Sequence, residues 1–146
     1  MIKNQLQADL YQSMKEKNQK QVDFLRFILS RIKNLEIDKK NEATDEEVIA
    51  LLRKIKIELA DALSFSQKSA RNDLTDQARF QLEVLDKYLP PDLPEEELKK
   101  EIEKIIEENK SLFEKNKMAV MGIAIKTLKS KADPKKISEV FRKYFN

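Results

Sequence analysis

The chain has 146 residues, with no cysteine, no histidine, no tryptophan and a single glycine, Gly122. Those absences exclude disulfide frameworks, zinc fingers, His-based triads and thiol nucleophiles, and one glycine cannot build a phosphate-cradling nucleotide loop. Charged residues make up 38% of the chain with a formal net charge of +3, and no apolar run approaches the roughly 18 residues needed to span a bilayer, so a soluble cytoplasmic protein is expected.

Apolar spacing is helical throughout. Ile2, Leu6, Leu10 and Met14 recur every four residues and predict a short opening helix with one buried face. A denser set from Val22 to Leu35 predicts a second helix with little solvated surface, in the middle of a bundle. Thr44-Asp45-Glu46-Glu47 reads as a capping box that opens a third helix, whose Val48, Leu52, Ile55, Leu59 and Ala62 form a seam. A fourth helix is capped near Arg71-Asn72-Asp73 and carries Leu74, Ala78, Leu82, Leu85 and Leu89.

The proline cluster Leu89-Pro90-Pro91-Asp92-Leu93-Pro94 must end that helix, because proline lacks the amide donor and forces its predecessor out of helical geometry. Glu95-Glu96-Glu97 then starts a fifth helix with negative charge at its positive end. Met118 to Leu128 predicts a sixth, and Asp133-Pro134 caps a seventh holding Ile137, Val140 and Phe141. The expected architecture is all-α: a helical bundle over residues 1–89, a hinge at 90–94 and a three-helix domain over 95–146.

Charge follows this division. Residues 1–89 are nearly balanced, with 16 basic and 15 acidic side chains, whereas residues 91–114 hold 4 and 9. Residues 115–146 reverse the sign with 9 basic and 2 acidic side chains, a basic tip on the last two predicted helices.

The ordered set Ala70-Arg71-Asn72-Asp73-Leu74, Glu83, Tyr88-Leu89-Pro90, Met118-Ala119-Val120-Met121 and Lys129-Ser130-Lys131-Ala132-Asp133 resembles the YqeY family, as do Leu25-Arg26 and the Thr44 box. This family looks like a free-standing version of the tail of the B subunit of glutamyl/aspartyl-tRNA amidotransferase. The resemblance runs over essentially the whole chain and implies a helical N-terminal domain joined through Tyr-Leu-Pro to a three-helix C-terminal domain. Family members usually carry glycine where this chain has Ala119, Ser130 and Pro134. A loop that cradles phosphate with its amides would lose backbone freedom at Ser130.

Candidate nucleic-acid contacts are Lys117, Lys126, Lys129, Lys131, Lys135, Lys136, Arg142 and Lys143, whose charges would attract an RNA backbone. A solvated lysine-rich surface explains the same residues. Phe141 belongs to the apolar stripe, and Met118 and Met121 read as core. Arg26 and Arg71 are expected to act as structural clamps, with Glu83 or nearby carbonyls as partners. The glutamates of the fifth helix read as dipole compensation and a wet face, so no metal, cofactor or catalytic residue is assigned.

The expected function is a non-catalytic tRNA- or RNA-binding or adaptor module. Two alternatives stand beside it: a protein-interaction module without RNA, docking a tRNA amidotransferase or another protein, and a carbon-nitrogen ligase using glutamine as part of a complex.

Overall fold

A computed structural model describes residues 1–145. Among the described residues there are eight helices and no strand: α1 (Ile2–Lys15), α2 (Gln19–Lys39), α3 (Asp45–Lys68), α4 (Asn72–Asp86), α5 (Glu95–Glu108), α6 (Lys110–Lys115), α7 (Lys117–Leu128) and α8 (Pro134–Arg142). The all-helical expectation is met. The chain divides into two compact units, Met1–Leu89 and the remainder from Pro90.

In the first unit, α1 packs on α2 and α3 on α4, each pair joined by a short turn. Their shared core is built from Leu6, Leu25, Ile28, Ile32, Leu52 and Leu85, all essentially without solvent exposure. The capping box forms as the sequence dictates: Thr44 Oγ1 accepts from the Glu47 amide at 3.2 Å, and Glu47 Oε1 accepts from the Thr44 amide at 3.0 Å. Lys39 also binds Glu47, and that contact, followed by the Thr44 amide, pulls the Glu47 carboxyl down to about 2. At the far end of the unit, buried Tyr88 donates its hydroxyl to the Asp9 carboxylate, fastening the residues after α4 to α1. Burial and then this bond push the Tyr88 hydroxyl well above its ordinary range.

Two expectations change here. Helix α2 is not sheathed by its neighbours: Asp23, Arg26 and Lys33 are exposed, and Phe27 is 44% exposed. On α4 the buried stripe runs through Thr75, Ala78, Val84 and Leu85, while Leu74 is 40% exposed. The apolar core of this unit extends only as far as Leu59 on α3 and begins at Phe80 on α4. Beyond these residues the buried contact is a hydroxyl pair, Ser66 with Thr75 at 2.8 Å, in place of an apolar layer.

The turns of this unit do without glycine. Lys17, Lys40 and Ala70 adopt left-handed backbone with φ of 57°, 59° and 56°, a conformation that disfavours side chains.

The second unit has four helices where the sequence predicted three. Asn109, with φ −121° and ψ 33°, breaks the fifth helix, and six residues form α6 before Asn116 caps α7 by accepting from the Ala119 amide at 3.2 Å. The core joins Leu98 and Ile102 of α5, Val120 and Leu128 of α7, and Ile137 and Phe141 of α8. Phe113 and Phe145 meet the Phe141 ring edge-on at 6.0 and 5.8 Å. Met121 is buried as expected, but Met118 is 55% exposed.

Candidate nucleic-acid interface

The basic tip is organised by the turn that joins α7 to α8. Leu128 O accepts from the amides of Lys131 and Ala132 at 2.8 and 3.1 Å, and this tight turn alternates its side chains. Leu128, Ser130 and Ala132 face inward and are buried, so Lys129 and Lys131 face out. The turn is then held from both flanks. Leu93 donates its amide to Lys131 O at 2.9 Å, and Asp133 Oδ1 accepts from the Lys135 amide at 2.9 Å, with Pro134 at the first helical position.

Lys126 lies in the last turn of α7 and Lys135 in the first turn of α8, so four exposed lysines gather around one corner: Lys126, Lys129, Lys131 and Lys135. Among the described residues none of these four ammonium groups has an ion-pair partner. Lys135 stands close to the positive end of α8, where a cation does nothing for the helix.

The other four predicted contacts are placed differently. Arg142 is exposed near the opposite end of α8, about 12 Å along the axis from the corner. Lys136 and Lys143 both pair with Glu95, at 3.9 and 2.9 Å. These contacts, Lys143 first, hold the Glu95 carboxyl below its ordinary range. Lys117 is half-buried, donates to Phe145 O, and places its ammonium 5.7 Å from the centre of the Phe113 ring. It serves packing in this unit.

Among the described residues no aromatic platform accompanies the corner. Phe141 and Phe145 pack in or against the core, and Tyr144 donates to Glu103 at 2.8 Å. Burial, with Glu103 beside it, raises the Tyr144 hydroxyl to about 12. The corner thus offers point charges suited to phosphate more than stacking surfaces suited to bases. Nor does its turn need the family glycines: neither Ser130 nor Ala119 nor Pro134 has positive φ.

The expected arginine clamp is not formed. Arg26, Arg71 and Glu83 are all exposed, and Arg71 pairs with Asp73, two residues away, at 3.7 Å. Glu83 precedes the buried Val84-Leu85 pair and so lies on the outer side of α4. The buried arginine of the first unit is Arg53, 4% exposed. Its position inside the apolar stretch Val48-Ile49-Ala50-Leu51-Leu52 to Ile55 was the signal available in the sequence.

The ordered resemblance is matched by a comparison over nearly the whole chain. The family model for Yqey-like proteins covers residues 3–145. The chain belongs to the YqeY family. No curated protein matches it in sequence. The match takes in both compact units, so the basic corner lies within the YqeY region and is not an appendage to it.

Proposed function

We propose that this YqeY chain is a non-catalytic RNA-binding or adaptor module, with tRNA or a tRNA-handling complex as its partner and the α7–α8 corner as its contact surface. One observation carries the reading. Lys126, Lys129, Lys131 and Lys135 are exposed around a rigidly held turn without a counter-carboxylate among the described residues. Such a cluster repels itself in the free protein and gains most from a polyanion, because each phosphate it neutralises releases counterions. The likeness of the family to the tail of a tRNA amidotransferase subunit favours tRNA among polyanions.

A protein partner is favoured by a different observation. Helix α7 is apolar nearly all round, yet Met118 and Ile123 remain 55% and 36% exposed on its outer side.

Binding of labelled bulk tRNA at several salt concentrations separates the two. The wild type is expected to bind at low salt and to weaken as salt rises. Replacing Lys126, Lys129 and Lys131 by Gln together should lower the log-log salt slope by about 2 to 3, at 0.7 to 0.9 per phosphate contact, with helical content unchanged. A wild type that does not bind tRNA at low salt returns the function to the protein-partner reading.

A further inference from the structure

Glu95 has a position that its role as a helix-start residue does not explain. From the first turn of α5 it reaches α8 and bridges two lysines, with Oε1 2.9 Å from Lys143 Nζ and Oε2 3.9 Å from Lys136 Nζ. Lys136 and Lys143 stand seven residues apart, two helical turns or about 10 Å along the axis, and so share one face of α8. One anion between two ammonium groups is the arrangement a backbone phosphate would take up there. The side chains of Glu95, Lys136 and Lys143 are 42%, 48% and 58% exposed, so the bridge is open to an incoming polyanion. Glu97, in the same helical turn, is exposed and joins no ion pair among the described residues.

We infer that Glu95 is an internal competitor for RNA: it occupies a phosphate seat formed by Lys136 and Lys143, and RNA gains those two contacts only by displacing it. This rests on the RNA reading of the corner, which it extends along α8 from Lys135 toward Arg142. Ion pairs between exposed side chains are weak, so a polyanion anchored at the corner can break them. While the bridge stands, two of the basic residues on α8 do not count toward binding. The carboxylate thus sets how many phosphates the protein neutralises.

The test compares Glu95→Gln with Glu97→Gln in tRNA binding across a salt series. Both substitutions remove one negative charge from the same helical turn, so they change the overall field and the helix-start charge alike. Only Glu95→Gln frees the two lysines. It should tighten binding several-fold beyond Glu97→Gln and steepen the salt slope by up to about 1.4 to 1.8, the two contacts at 0.7 to 0.9 each that are missing while the wild-type bridge stands. The gain should vanish when Lys136 and Lys143 are also Gln. Circular dichroism and thermal melting verify that each variant is folded.

If the wild type binds tRNA and the two glutamate variants behave alike, the competitor role is wrong while the corner stands. A gain that persists without Lys136 and Lys143 overturns it as well. If neither the wild type nor Glu95→Gln binds at low salt, the RNA reading falls and the inference with it.

Discussion

Gly122 lies in the middle of α7, and a methyl group built on it meets nothing within 4 Å. Glycine there brings only the entropic cost of a flexible residue in a helix, so Gly122→Ala should stabilise the second unit by about 0.5 to 1 kcal/mol. Thermal unfolding of the two proteins measures this directly. The turns show the opposite mismatch, since Lys17, Lys40 and Ala70 hold left-handed backbone that glycine would accept freely. The left-handed turns were not legible from the sequence, where Lys17 and Lys40 look like ordinary surface residues. Single-residue inference succeeded where local chemistry decides the outcome, as at Asp133, whose side chain caps α8 within two residues of itself. It failed for Arg26 and Arg53, where burial depends on how a helix is rotated against its neighbours.

At the scale of the element, helix starts were readable because a cap is a short-range device, and ends were readable at proline. The Thr44 box is the clearest case, and its pH dependence follows from its geometry. The Glu47 carboxyl falls from an ordinary 4.5 to about 2 in the fold, so its contribution is fully present above 4.5 and is lost as pH falls toward and through 2. Glu36 shifts the same way, first through Lys3 and then through the Ala43 amide. Melting temperature should therefore drop between about pH 4.5 and 2, and Glu47→Gln, which retains capping ability, should flatten part of that drop. A profile unaffected by Glu47→Gln would remove the box from the acid response. Helix α6 escaped the sequence reading because six residues are too few to display a period, and Asn109 interrupts the pattern by a local break without proline. The rotated stripe of α4 escaped for a different reason: spacing fixes which residues share a face, but neighbouring helices decide how much of that face is covered.

For the molecule as a whole, the separate cores of the two units lead to a prediction about the segment between them. Limited proteolysis should cut first between Leu89 and Glu97 and release helical fragments, because that stretch contains three prolines and is not helical until α5 begins at Glu95. Fragments identified by mass spectrometry decide the matter, and early cleavage inside α3 or α7 would contradict it. The two-part charge pattern was visible in composition alone. Which lysines are available was not, because Glu95 and the residues it bridges are 41 and 48 positions apart in the chain. The hydrogen bond from Tyr88 to Asp9 closes a loop of 79 residues, almost the whole first unit. At a synthesis rate of about 5 to 20 residues per second, the partner of Asp9 is made roughly 4 to 16 s after Asp9 itself. On the ribosome, therefore, α1 waits for the last residues of its own unit, and its bond to Tyr88 can form only after the prolines that follow have been added and Tyr88 has left the ribosome.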